Sequence, residues 1–248
     1  MRIAIISDIH GNFPALKAVL DDVALFNADQ IYCLGDLTDG APWNNEVIEL
    51  IRSKGIPTIM GNHDERIAFD HPVFPLSKHS KEEQEARLNT INHTKSTIDP
   101  DHKAFLAGLP ASIRLSIDSV SILLVHGSPE SNEEYIYENH EEAALIKMLD
   151  DHDIDIMISG HTHLSFIRSI SGGGVAKLMI NAGSVGRSKE QDRKACYLQL
   201  NIENHKKEQG VTAVVPVIRK VDYPIAETIA GIRKSAVPDF YADFLEQH

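Results

Sequence analysis

Cysteine is nearly absent: Cys33 and Cys196 are the only two in 248 residues, and each sits inside an apolar, strand-like run. That leaves no basis for a disulfide-stapled scaffold and fits core thiols in a reducing compartment. Long apolar runs are missing too. No stretch approaches the roughly 20 residues a membrane-spanning helix needs, and the opening MRIAIISDIH meets Asp8 too early to be a signal peptide. A soluble, cytoplasmic protein with no membrane partner is the expectation. Positive charge is scarce, with 24 Lys and Arg against 36 Asp and Glu and a net charge of -12. The overall field repels polyanions and no basic tract offers a footprint, which argues against a long nucleic acid as partner. A small phosphorylated substrate escapes that argument, because a bound metal pair would dominate the local field.

What the chain does have is alternation. At 248 residues and 42% hydrophobic it can bury one large core, and a single domain over 1–248 is the simplest expectation. Residues 3–7 read as a buried strand, 14–26 carry helical spacing through Leu16, Val19, Leu20 and Val23, and 30–34 read as the next strand, a βαβ opening. A helix over 44–53 and a third strand over 57–60 follow. Residues 65–105 break the pattern: polar, charged and only weakly periodic through Leu88, Ile91, Ile98 and Phe105, they predict a helical insertion. Paired strands over 112–117 and 120–125, helical signals within 133–150, a buried strand over 154–159 and four further strands to residue 221 come next. Two short helices close the chain in a C-terminal extension over 222–248. The sum is an α/β fold, with two sheets packed face to face and helices outside.

Five polar clusters sit at the ends of apolar runs: Asp8-Ile9-His10, Gly35-Asp36, Gly61-Asn62-His63-Asp64, His126 and Gly160-His161-Thr162-His163. In open α/β sheets the C-terminal strand edge is where ligands bind. Asp8, His10, Asp36, Asn62, His126, His161 and His163 are enough to hold two divalent ions if one carboxylate bridges them, and mixed nitrogen and oxygen ligation suits manganese, iron or zinc.

The series Asp8-x-His10, Gly35-Asp36-x-x-Asp39, Gly61-Asn62-His63-Asp64, His126 and Gly160-His161-x-His163 closely resembles the calcineurin-like metallophosphoesterases, in the family's order and over roughly residues 1–200. Asn181-Ala182-Gly183-Ser184-Val185-Gly186 is similar to the glycine-serine turn of the family's compact bacterial branch. The tail from Arg219 to Leu245 has a weaker likeness to relatives that cleave diadenosine polyphosphates and diesters. The resemblance implies a two-sheet αββα sandwich in which Asp8, His10 and His163 hold one ion, Asn62, His126 and His161 the other, and Asp36 bridges them. It implies manganese first, with iron, zinc, nickel or magnesium as alternatives, and a bridging hydroxide as the nucleophile. His63 would stand beside the leaving oxygen, oriented by Asp39. Phosphodiester or nucleotide and dinucleoside polyphosphate hydrolysis is the implied activity, with a phosphomonoesterase or a non-catalytic scaffold as alternatives. Eukaryotic-type protein phosphatases carry an arginine after the second Asp of the GDxxD block, where this chain has Gly40.

Other residues have plainer readings. Asp39 is either the partner of His63 or a turn residue before Gly40, and Asp64 reads as an N-cap of the next helix. His71, His79, His93, His102, His140, His152, His205 and His248 lack ligand spacing and are expected at solvated surfaces. Gly172 to Gly174 reads as a hairpin turn, and KEEQEAR over 81–87 as a solvated helix face. Arg187, Lys189 and Arg193 fall in an expected solvated loop, with contact to a substrate phosphate as the alternative. Substrate-binding residues and oligomeric state are left open.

Overall fold

Strands buried on both faces read as continuous apolar runs, and this is how the fold organises itself. The computed structural model describes residues 1–75, 80–170, 177–204 and 212–246. Within them β1 (Arg2–Ile6), β2 (Gln30–Cys33), β8 (Ala195–Asn204) and β9 (Thr212–Val221) form a four-stranded mixed sheet in the order β2-β1-β8-β9. Only its β1–β2 pair is parallel. The second sheet, ordered β3-β4-β5-β7-β6, contains β3 (Ser112–Ile117), β4 (Val120–Val125), β5 (Ile156–Ser159), β6 (Phe166–Ile170) and β7 (Lys177–Asn181). Its three central strands are parallel and its edges antiparallel.

The period of two along each strand then assigns the layers. Ile3 and Ile5 of β1 meet Leu198 and Leu200 of β8, Ile122 and Leu124 of β4, and Ile156 and Ile158 of β5 between the sheets. Ala4 and Ile6 face outward onto α1 (Phe13–Phe26) and α2 (Asn44–Ser53), against Leu16, Val19, Val47 and Ile51. On the far side Leu123, Val125 and Met157 pack on Leu145 and Leu149 of α6 (Glu142–Asp151). This is the expected two-sheet sandwich with helices on both faces.

Two elements differ from expectation. Residues 57–60 form no strand; Thr58 alone bridges Cys33, because Pro57 has no amide hydrogen to donate. The helix expected within 133–150 starts only at Glu142, and the irregular stretch before it sends Ile136 into the core. The hairpin turn read at Gly172 to Gly174 lies outside the described residues, as do His79, His205 and His248.

The helices in the 65–105 segment, among the described residues, are α3 (Asn62–Ala68), α4 (Lys81–Thr97) and most of α5 (Pro100–Ala107). Its weak periodicity has a physical reason: the buried face of α4 is Ala86, Thr90, Ile91 and Thr94, whereas Leu88 is exposed. Thr90 and Thr94 satisfy their hydroxyls on the carbonyls four residues back, at 2.8 and 3.0 Å, so they can be buried as small residues. Ala86 packs against Ile232 of α7 (Ile225–Lys234) and against Tyr241, Ala242 and Leu245 of α8 (Phe240–Glu246). The insertion and the C-terminal helices therefore build one wall together.

Candidate metal centre

The C-terminal ends of β1, β2, β4 and β5, with the turns that follow, converge at one edge of the sandwich. Asp8, His10, Asp36, Asp39, His161 and His163 all hold positive φ, between 50° and 68°. Non-glycine residues rarely adopt that region, and clusters of such strain occur where structure is held for function. Glycines at the turns are needed for close approach. A Cβ on Gly61 would lie 2.2 Å from Asp36 Oδ1, and one on Gly160 would lie 2.0 Å from Ser7 Oγ and 2.5 Å from Asp8 Oδ2.

Asp8, His10, Asp36 and His163 form one buried group and Asp36, His126 and His161 a second, with the potential ligand atoms of each group within 4.8 Å of one another. Asp36 belongs to both. Asn62 Oδ1 joins the second group, 3.2 Å from His126 Nε2. All seven side chains expected as ligands are thus brought together.

The ring orientations are the telling feature. His10 Nδ1 donates to the Asp39 carbonyl oxygen at 2.8 Å, His126 Nδ1 to that of Leu34 at 2.8 Å, and His163 Nδ1 to that of Arg187 at 2.8 Å. Each bond fixes the tautomer and turns an Nε2 lone pair toward the centre, the second-shell arrangement metal-binding histidines use. His10 and His163 then present Nε2 atoms only 3.0 Å apart. Two lone pairs at that distance require positive charge between them. His161 Nε2 and Asp8 Oδ1 are buried without a hydrogen bond. The donor set fits a pair of divalent cations.

Electrostatics give the same answer. Burial opposes ionisation of Asp8 and Asp36, yet both carboxyls are held below their ordinary range, Asp8 by His163 and Asp36 by His126 and His63. Burial, then His163, pushes His10 down, and burial, then His126, takes His161 to about 3. Burial also opposes a charge on His126, but Asp36, then Asp8 and the Leu34 carbonyl, together move it the other way, to about 10. Neighbouring imidazoles driven in opposite directions mark a cluster short of positive charge. Divalent ions held by these residues would supply that charge in place of the proton on His126.

Asp39 resolves into both of its readings. It is a positive-φ turn residue, and its carboxylate Oδ2 accepts from His63 Nδ1 at 2.9 Å. His63 stands edge-on to His10, ring centroids 5.1 Å apart. Asp64 is not an N-cap but the third residue of α3: its carboxylate accepts from the Gly61 and Leu37 amides, and burial, then Asp36, pushes its pKa up to about 7. The Asn181 turn acts as a clasp. Asn181 Nδ2 donates to the Gly160 carbonyl oxygen at 2.6 Å and Ser184 Oγ to that of Asp8 at 2.8 Å, tying the turns of β5 and β1 together.

A calcineurin-like phosphoesterase family model matches residues 1–165, a span that carries every one of the clustered side chains. The chain belongs to that family. It is a metal-dependent phosphoesterase, and beyond the matched span lie β6 and β7 of the second sheet, β8 and β9 of the first, the clasp and the C-terminal helices. An uncharacterized protein of Methanocaldococcus jannaschii is 28% identical over 98% of this chain and 96% of its own length. A crystal structure of a metallophosphoesterase from Sphaerobacter thermophilus, 26% identical, superposes with a TM-score of 0.74 over 100% of this chain and 98% of that one. A hypothetical protein from Pyrococcus horikoshii, 19% identical, shares the fold with a TM-score of 0.77 over 98% and 97%. A symmetrical bis(5'-nucleosyl)-tetraphosphatase of Serratia proteamaculans is 37% identical over 67 residues, 26% of this chain and 24% of that enzyme.

Beside this phosphoesterase centre lies a cavity of about 190 Å³, whose lining includes Asp36, Asn62, His63, His161 and His163. Its other walls were not legible as such. Arg66 follows His63 by one turn of α3, Arg87 comes from α4, Tyr135 from the stretch before α6, and Tyr241 from α8. The 81–87 run is therefore not simply a solvated face: Ala86 is buried, and Glu83 and Arg87 line the cavity. Nor is 187–193 a plain solvated loop. Arg187 is half-buried, lies over the Tyr241 ring at 4.8 Å and lines the cavity with Lys189, whereas Arg193 turns away onto Phe244 at 4.1 Å. Among the other histidines, His102 is buried rather than solvated, bound through Nδ1 to Asn45 at 2.9 Å. No helix among the described residues is long and apolar enough to cross a membrane.

Proposed function

We propose that the protein hydrolyses a phosphodiester or nucleotide polyphosphate bond in a small substrate, at a pair of divalent cations held by Asp8, His10 and His163 on one side and Asn62, His126 and His161 on the other, with Asp36 shared. Manganese is the proposed native metal, given carboxylate and imidazole ligands in one set. A bound cation pair supplies Lewis-acid activation of the phosphoryl group and of the attacking water. The chain's own part is positioning. Asp39 fixes His63 Nδ1 as a donor, so His63 Nε2 faces the cavity, where a proton on it passes to the leaving oxygen.

The observation that carries the reading is that His63, bound to Asp39, lines the same cavity as Asp36 and His163 of one ligand group and His161 of the other. Support for a nucleotide substrate comes from the partial similarity to a bis(5'-nucleosyl)-tetraphosphatase and from the arginine and tyrosine side chains around the cavity. The test is the ratio of initial rates on bis-p-nitrophenyl phosphate and p-nitrophenyl phosphate, with protein stripped by chelator and reloaded with manganese. A strong diester preference is expected. A monoester preference would replace the reading with a phosphomonoesterase, and no metal-dependent rate on either substrate would leave a binding scaffold.

A further inference from the structure

Arg66 and Arg87 stand where the metal-centre cavity meets a second one. Both arginines, with Asn62 and Glu133, line the cavity of about 190 Å³ and also a neighbouring one of about 430 Å³, whose far wall includes His71, Pro72, Phe74 and Asn132. Arg66 is only 6% exposed; its Nη2 donates to Glu133 at 2.9 Å, while its Nη1 is buried without a hydrogen bond. Arg87 donates Nη1 to the Phe74 carbonyl oxygen at 2.9 Å and, among the described residues, has no carboxylate at ion-pair distance. Glu83, Glu133 and Glu65 supply the acidic charge here; Glu133 pairs with Arg66, and Glu65 accepts from Asn132 Nδ2 at 3.0 Å. The guanidinium of Arg87 is pulled below its usual range, first by burial and then by Arg66. Two guanidinium groups brought together against their own repulsion, one with an orphaned donor, are what an anion with several oxygens would satisfy.

Position along α3 says which part of a substrate this anion belongs to. His63 and Arg66 are three residues apart and share a helix face, so a group leaving past His63 next meets Arg66 and then Arg87. We propose that Arg66 and Arg87 form a second anion site that selects substrates whose leaving group carries a further phosphate, with the remainder of that group running toward Phe74. The proposal rests on the phosphoesterase reading above and adds the residues that set its substrate class. Phe74 is 69% exposed at the end of this path, an unshielded ring available for stacking.

The test is calorimetric binding of inorganic phosphate and of imidodiphosphate, a non-hydrolysable two-phosphoryl probe, to manganese-loaded protein in excess manganese. Wild type should bind imidodiphosphate at least about tenfold more tightly than phosphate, the return of one charge-assisted hydrogen-bonded site. Arg87→Met, which keeps the aliphatic stem, should bring that ratio close to one, and Arg87→Lys should restore part of it. A ratio near one in wild type, or one that Arg87→Met leaves unchanged, overturns the proposal. Diester hydrolysis with a flat ratio would refute the second site and spare the functional reading. An intact, Arg87-dependent ratio in a protein inert toward both nitrophenyl substrates would do the reverse.

Discussion

At the ligand cluster Asp8, His10, Asp36, Asp39 and His163 are each fixed twice, once by a strained backbone position and once by a hydrogen bond to the side chain. The wall opposite is put together differently. Arg87, Arg187 and Tyr241 come from helices and loops that meet through Ala86 and a cation–π stack, and no positive-φ position fixes them. The first region is built to hold charge at set distances and the second to be exchanged. Reaction chemistry belongs to the one and substrate choice to the other.

Removing the shared carboxylate breaks the first region most severely. Asp36→Ala should empty both ligand groups, with turnover at background and elemental analysis showing loss of metal; an active, metal-loaded variant would refute the bridging assignment. Chelation of wild type should reproduce that loss, and manganese should reverse it. His63→Ala separates chemistry from metal binding: turnover should fall about 10²- to 10⁴-fold, the range for a positioned acid, while metal content stays near that of wild type. Loss of metal in that variant would make His63 a ligand.

Smaller effects sharpen the boundary between the regions. Asn181→Ala releases the clasp on the GHTH turn and should weaken metal affinity by about 10- to 100-fold, as loss of an outer-shell partner does, read by competition with a fluorescent chelator. Arg187→Met should leave metal affinity alone, because the Arg187 carbonyl, not its side chain, holds His163. Its effect belongs on KM, by about tenfold for loss of one charged hydrogen bond. A fall in metal content would show that the cation–π stack on Tyr241 also supports the cluster.

Legibility followed the same boundary. The strands were readable from β1 and β5 because burial on both faces leaves unbroken apolar runs, and the ligands were readable because each ends such a run at a turn. The wall was not, for reasons visible in particular residues. The buried face of α4 is alanine and threonine, so its periodicity is faint. Arg87 lies in a charged run that looks solvated in sequence, and its neighbour Tyr241 lies more than 150 residues further along the chain. Arg66 alone carried a local signal, the three-residue step from His63 on one helix, and a reading confined to the ligand motifs passes over it.

The last comparison needs a residue outside both regions. Asp22 on α1 accepts from Tyr197 Oη of β8 at 2.8 Å and from the Arg219 guanidinium of β9 at 2.7 and 2.9 Å, binding the helix to two strands away from the ligand cluster. Arg219 is half exposed, so solvent screens the pair, and Asp22→Asn should cost only about 1 kcal/mol. The carboxyl is held below its ordinary range, by Arg219 first and Tyr197 after burial's opposition. A carboxyl with a lowered native pKa binds fewer protons folded than unfolded, so its stabilisation is full above the ordinary carboxylate range and is lost as pH falls from there through the lowered native pKa. Chemical denaturation in chelator, where metal binding cannot contribute, should therefore show wild type ahead of the variant at pH 7, with the gap shrinking as the pH falls below the ordinary carboxylate range. Metal content and turnover at pH 7 should be equal in the two proteins. If Asp22→Asn lowered metal affinity, the ligand cluster would depend on the packing of α1 far from the site, and its rigidity could no longer be credited to its own turns.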